Sequence, residues 1–227
     1  MEAYRRIFGD AIFVDNVPTG AFPYAPTYRR IGTLSIGRQV FYSPRRVYGD
    51  VSLKYYSLKA EGKEVRRVVF LSRGDPTLDA NLGREAQALK TAGFSLEVLT
   101  SGAMLWREDV RRDLSLFDRV VITVDAVSED LWRRFLRPHT LLNYGKVMEG
   151  IRTFAREYDG DLTGVLHVIP GVDYSGEGEV VGEFLKEIGV RKVFVLPASG
   201  DVEGVAERLE GLGLEVEVLQ PHLSGEG

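Results

Sequence analysis

Five short stretches of this 227-residue chain hold the residue types that bind polar ligands. They are "SRGDPTL" (72–78), "TSGAMLW" (100–106), "TVDA" (123–126), "IPGVDYS" (169–175) and "LPASGD" (196–201). Between them they supply glycines, Ser/Thr hydroxyls and single carboxylates. Small residues let backbone amides approach a ligand, and carboxylates take amines or ribose hydroxyls. The same residue types are what turns and helix caps require, so both uses stay open for each stretch. A sixth stretch, "FYSPRRVYGD" (41–50), combines Arg45 and Arg46 with Tyr42 and Tyr48. It reads as a loop serving either an anionic ligand or a solvated turn.

Other chemistry is excluded outright. With no cysteine there is no disulfide, thiol nucleophile, thiolate zinc site or thiolate-held iron–sulfur cluster. His139, His167 and His222 are far apart and in no metal-ligand spacing. Gly176, Gly178 and Gly182 miss the dinucleotide fingerprint by one residue and follow a late strand. Arg73-Gly74-Asp75 would be an adhesion tripeptide only in an exposed extracellular loop.

The elements that must position these stretches alternate regularly from Val65 onward. Apolar runs of strand length cover 67–72, 94–100, 118–126, 162–170 and 192–197, and 214–220 gives a last short strand. Helical periodicity fills the intervals, as in 143–158, and Ser128 is placed as the N-cap of a helix over 128–136. "TLSIGRQVF" (33–41) is taken as the first strand. Such alternation predicts an α/β fold of repeated βαβ units around a parallel sheet, either an open sheet or a partial (β/α)6 barrel. In both, ligands bind at the C-terminal strand ends, where the five stretches fall. The organisation expected is a single domain over 1–227: an irregular basic and aromatic lead-in over 1–32, the β/α part over 33–219, and a tail over 220–227.

Composition bounds the class. Residues 1–70 carry twelve Lys/Arg against six Asp/Glu and about half of the aromatic residues, while the whole chain has net charge −4. Basic plus aromatic character suits an anionic, stackable ligand, with surface arginines over core aromatics as the plain alternative. No apolar run reaches the ~20 residues that span a bilayer, and residues 1–13 make a poor signal peptide. A cytoplasmic location without membrane contact is therefore the expectation. Few Asn and Gln, with arginine exceeding lysine, point toward a thermophile.

Taken in order, the motifs resemble the radical S-adenosylmethionine (SAM) superfamily, in particular its archaeal branch near the wybutosine-synthesis enzymes. Gly74-Asp75-Pro76-Thr77-Leu78 is similar to that branch's "GEPTL", residues 100–105 to "TNGSLL", and 123–126 to "SLDA". Arg137-Pro138 matches a following "RP", 171–174 resembles "GVND", and 28–37 resembles "SRRLGxSLGI". The likeness covers about 25 to 200 and implies a partial barrel of radical-SAM type. The family's C-x-x-x-C-x-x-C cluster loop falls on residues 42–49, so Tyr42, Arg46 and Gly49 stand where three thiolates would hold a [4Fe–4S] cluster. The resemblance places Gly74, Asp75 and Pro76 near the methionine amine of SAM, and Thr123 and Asp125 near its ribose. Ser101 and Arg137 complete the implied ligand set. Asp75 replaces the usual glutamate and Ser101 the usual asparagine.

Three functions follow as expectations. One is a cluster-less pseudoenzyme acting as a binding or partner subunit, with an active paralogue among its partners. Another is a repurposed enzyme or ligand-binding protein for SAM or a nucleotide, whose anion meets Arg45 and Arg46. The last is RNA binding through Arg29, Arg30, Arg45 and Arg46. Tyr42 or Arg46 is expected to fold into the space left by the cluster.

Overall fold

The computed structural model describes residues 2–197 and 202–219. The end of the stretch expected after the sixth strand (198–201) and the expected tail (220–227) lie outside the described residues.

Helix α1 (Glu2–Phe8) precedes strand β1 (Ile12–Val14), short strands β2 (Ala21–Phe22) and β3 (Thr33–Leu34), and helix α2 (Pro44–Ala60). Strand–helix steps follow: β4 (Arg67–Phe70) and α3 (Leu82–Thr91), β5 (Ser95–Thr100) and α4 (Glu108–Leu114), then β6 (Arg119–Thr123) with α5 (Glu129–Leu131) and α6 (Tyr144–Glu157). Next come β7 (Asp161–Val168) with α7 (Tyr174–Glu187), β8 (Lys192–Pro197) with α8 (Val202–Gly211), and β9 (Glu215–Val218). Seven of these strands form one sheet in the order β1-β4-β5-β6-β7-β8-β9, and every pairing is parallel. The outer strands β1 and β9 do not pair with each other, so this is the partial barrel expected, with helices outside it and a short C-terminal strand.

The first strand is not where the sequence placed it. Residues 33–41 do not join the main sheet: Thr33 and Leu34 pair with Ala21 and Phe22, and Gln39 bridges to Asp79. Ile12–Val14 is the true first strand, in register with Val68–Phe70. Three residues are too few for a periodicity to show, and the prolines and glycines after them mark the region as irregular. The lead-in thus contains a helix and two strands. The predicted helix over 128–136 is also altered. It begins as α5, continues as a π turn over Trp132–Leu136, and ends at Arg137 in the left-handed conformation (φ 47°) ahead of Pro138. Ser128 stands at the N-cap, but its hydroxyl donates to Glu177 instead of capping the helix.

Alternation along the strands gives the sheet two apolar faces. Val68, Phe70, Val98, Ile122, Leu166 and Val195 face the outer helices. Val69, Leu71, Val121, Val165, Phe194 and Leu196 face the concave side, where they pack with Ile7 and Phe8. Helix α1 therefore closes the concave face with apolar side chains, and Arg119 lies over the Phe8 ring at 5.7 Å. Phe8 is 1% exposed, so truncating it leaves a cavity between helix and sheet. Phe8→Ala is expected to cost about 3–5 kcal/mol in urea unfolding; a loss below about 1 kcal/mol would show that α1 is not part of the folded core.

Candidate functional site

The strand-end motifs come together, and their polar groups are largely spent on each other. Asp75 is fully buried beyond β4. Its Oδ1 accepts from the Thr77 amide (3.0 Å), the Thr77 hydroxyl (2.6 Å) and the Thr100 hydroxyl (3.0 Å). Its Oδ2 accepts from the Ser101 amide (2.9 Å) and hydroxyl (2.5 Å), and Thr100 also reaches it at 3.2 Å. A carboxylate with this many donors, fixed between the ends of two neighbouring strands, has no lone pair free for a ligand amine.

The backbone beside it is taken as well. The Gly74 amide donates to Val17 O (3.2 Å) and the Asp75 amide to Ala21 O (2.9 Å). A Cβ on Gly74 would lie 2.4 Å from both Ala21 O and Val17 Cγ1, so only glycine lets residues 17–21 cross here. The same segment is held at its start, where Asn16 N donates to Ser72 Oγ (2.9 Å) and Ser72 Oγ donates to Asn16 Oδ1 (2.6 Å). Further along, Ala25 N and Thr27 N donate to Arg137 O and Phe135 O. Residues 15–27 thus form a strap across the strand ends. The polar groups of Gly74, Asp75, Pro76 and Ser101 are used to hold the strap and the strand ends together.

Two buried acids lie under it. Neither oxygen of Glu85 has a partner at hydrogen-bonding geometry among the described residues; burial, followed by the negative charge of Asp79, pushes its carboxyl up to about 8, with nearby Asn16 opposing the rise. Burial also raises Asp79 to about 6, although Asn81 N donates to it at 2.8 Å.

The stretch aligned with the cluster loop is not a loop. Ser43 caps α2, its Oγ accepting from Arg46 N, and Pro44 takes the first helical position. Ser-Pro before a helical run is a start signal, legible in the sequence and passed over. Tyr42 is half-buried against the core, and its carbonyl accepts from Asn81 Nδ2 (2.8 Å). Arg46 points outward with 64% of its side chain exposed, 4.6 Å above the Tyr42 ring and 3.7 Å from Asp50. Of the two candidates for folding inward, Tyr42 does so in part and Arg46 does not. No thiolate exists here, and a tyrosine ahead of a helix with an arginine and a glycine on it do not provide a cluster's ligand set.

The four arginines assigned to anion or nucleic-acid binding separate. Arg45 lines a groove with Arg84 and Arg112, Arg46 lines another with Arg5 and Lys54, and only Arg29 and Arg30 share a cavity. That cavity, about 580 Å³ at the C-terminal strand ends, is also lined by Arg73, Tyr4, Tyr28, His167, Gly20 and Pro197. Arg73 is braced by Asp15 (2.7 Å), and Arg29 donates to Arg73 O (2.6 Å). Arg30 is exposed and makes no ion pair among the described residues.

On the cavity floor, Asp125 Oδ1 accepts from the His167 amide (2.9 Å) and lies 2.8 Å from His167 Nδ1. Tyr28 donates to Asp125 Oδ2 and stacks on the imidazole at 4.8 Å. The Tyr4 hydroxyl is 2.7 Å from His167 Nε2. Burial raises Tyr4 to about 12 and, with the Asp125 charge next, lifts Tyr28 well above the ordinary range. Thr123 is half-buried two residues before Asp125 and makes no side-chain hydrogen bond among the described residues. Arg137 is exposed and contributes its carbonyl to the strap. His167, Tyr4, Asn16, Arg73 and Glu85 were missed as site residues. His167 alone had a visible signal, a polar residue inside the apolar run 162–170.

The model of the Radical SAM superfamily matches residues 52–184. A UPF0026 protein of Methanocaldococcus jannaschii is 31% identical over 194 residues, covering 84% of this chain and 60% of that protein. A UPF0026 protein of Helicobacter pylori is 29% identical over 125 residues, 54% of this chain and 40% of that protein. The chain therefore spans 60% or less of these relatives. Among solved structures, TYW1 with a lysine-pyruvate adduct bound has a TM-score of 0.63 at 15% identity, covering 86% of this chain and 72% of that one. A radical SAM methyltransferase from Sphaerobacter thermophilus has a TM-score of 0.64 at 13% identity, covering 93% and 66%. At these identities the two structures attest the fold.

The buried acids set two outcomes. Asp75→Ala strands the donors of Thr77, Thr100 and Ser101 and is expected to cost at least about 3 kcal/mol; wild-type stability in denaturant would contradict the role as anchor. Glu85 holds its proton to about pH 8 when folded and releases it near 4.5 when unfolded. Its contribution is full below pH 4.5 and is lost as pH rises through about 8. Urea unfolding should show stability falling between pH 6 and 8, and Glu85→Gln should flatten that slope.

Proposed function

The chain belongs to the radical SAM superfamily, and from that premise we propose that it works by binding an anionic small molecule in the cavity beside the strap, without radical chemistry. A [4Fe–4S] cluster does not fit the residues present, since the aligned positions offer no thiolate and the chain contains none. The methionine end of SAM does not fit the position the resemblance implied either, because Asp75 and the amides of Gly74 and Asp75 are satisfied within the chain. No step is derived through either group.

One observation carries the proposal: Arg29, Arg30 and Arg73 line one cavity of about 580 Å³ that has aromatic and imidazole walls. That volume lies within the range of small-ligand sites. Guanidinium groups donate in a planar fork that suits phosphate and carboxylate. Tyr4 and Tyr28 supply apolar ring surface to an attached organic group. A nucleoside monophosphate has this combination of charge and plane. The role is that of a ligand-responsive binding subunit, and an active paralogue is the partner the family premise favours.

Calorimetry with AMP, pyrophosphate and SAM tests the assignment. AMP and pyrophosphate are expected to bind, and Arg30→Ala to weaken both on the order of tenfold without changing stability, since Arg30 holds nothing else. SAM is expected to bind more weakly than AMP. Absence of heat from every anion, with the protein folded, rejects the site. Anaerobic treatment with iron and sulfide should give no stoichiometric cluster.

A further inference from the structure

The floor of the cavity fixes where protons sit. Asp125 receives the His167 amide, His167 Nδ1 and the Tyr28 hydroxyl. A carboxylate accepting from its neighbours requires a hydrogen on Nδ1, so the neutral imidazole carries its bare lone pair on Nε2. Among the described residues the only group at Nε2 is the Tyr4 hydroxyl, 2.7 Å away, which must then point its hydrogen at the ring. With its hydrogen spent, the Tyr4 oxygen presents only lone pairs to the rest of the cavity.

Protonating His167 reverses that bond. Nε2–H donates to the Tyr4 oxygen, and the Tyr4 hydrogen is free to turn to an acceptor inside the cavity. The other groups around the ring set the direction of coupling. Arg29 and Arg30 on the cavity wall, neither in an ion pair among the described residues, disfavour a further positive charge, whereas Arg73 is already paired with Asp15. Asp125 favours it. Tyr28 lies stacked on the ring, and Tyr174 from α7 donates to the His167 carbonyl (2.8 Å), so both stay neutral hydroxyls. Leu196 of β8 adds an apolar wall. An anion that neutralises Arg29 and Arg30 removes the charge opposing protonation, and the freed Tyr4 hydroxyl gives that anion one more donor.

We propose that the cavity takes up its anion together with one proton, which passes from solvent to His167 Nε2 while the Tyr4 hydroxyl turns from imidazole to anion. Tyr4 is then the ligand-contacting residue, and His167 and Asp125 are positioning residues behind it. By linkage, each ligand strengthens the other, so affinity rises as pH falls. The proposal rests on the anion site proposed above. The high pKa of Tyr4, about 12, agrees with a hydroxyl that donates a hydrogen bond without ionising.

Inorganic sulfate is the probe, because it is fully ionised at neutral pH and any proton uptake belongs to the protein. Calorimetry at pH 7.5 in two buffers of different ionisation heat should give heats that differ in the sense of net proton uptake with sulfate. Histidine-¹⁵N spectra should show Nε2 of His167, identified by its absence in His167→Gln, becoming protonated along the binding isotherm. Tyr4→Phe keeps the ring and should bind sulfate on the order of tenfold more weakly. Sulfate binding with no proton uptake overturns the coupling and leaves the anion site standing. AMP binding without sulfate binding also overturns it, since the cavity would then recognise the organic group rather than the charge. No binding of either overturns both proposals.

Discussion

The Asp75 carboxylate ties the ends of β4 and β5 together and fixes everything built above them. It is fully buried and takes the amides and hydroxyls of Thr77 and Ser101 and the hydroxyl of Thr100. In a dry interior, a satisfied carboxylate and its donors form an all-or-none unit, because each loses its partner if the other moves. Its own amide holds Ala21, and Gly74 beside it holds Val17. The strap is therefore attached to the sheet through one acid and one glycine.

The consequences run outward from the strap. Its beginning is fixed by Asn16 and Ser72, and its end runs beside Phe135 and Arg137. Just past Thr27 the chain turns Tyr28 onto His167 and Arg29 toward Arg73. Helix α1 approaches the same place from the concave side, its apolar residues packed on the inward strand positions and Tyr4 reaching His167. The cavity is thus the space where strap, helix and strand ends fail to meet. Its arginines come from the residues that follow the strap and from the loop beyond β4, and its proton-bearing groups come from α1, the residue after the strap and β7.

The stretch over Tyr42–Gly49 is stabilised by ordinary folding. Ser43 and Pro44 start a seventeen-residue helix whose buried Val47, Val51 and Tyr55 join the core. Arg46, on the outer side of that helix, covers the Tyr42 ring and meets solvent.

Local pattern was enough for the strand–helix alternation, the parallel sheet and the placing of Gly74, Asp75, Ser101 and Asp125 at strand ends, because period-2 and period-3.6 burial is written residue by residue, whereas the partial barrel was implied by the resemblance and not by the pattern. The missing thiolates were equally plain. Pairing was not legible. Ile12–Val14 is too short to announce itself, and whether 33–41 joins the main sheet depends on which edge is free after the other strands have assembled. The sequence could present Asp75 as a ligand-binding acid or a structural one with equal economy; only the tertiary arrangement decided, by bringing donors from residues 77, 100 and 101 onto it. His167 and Tyr4 are 163 residues apart, so no local signal could pair them. The residue types set what chemistry was possible, and long-range contacts, which no window of sequence contains, chose among the possibilities.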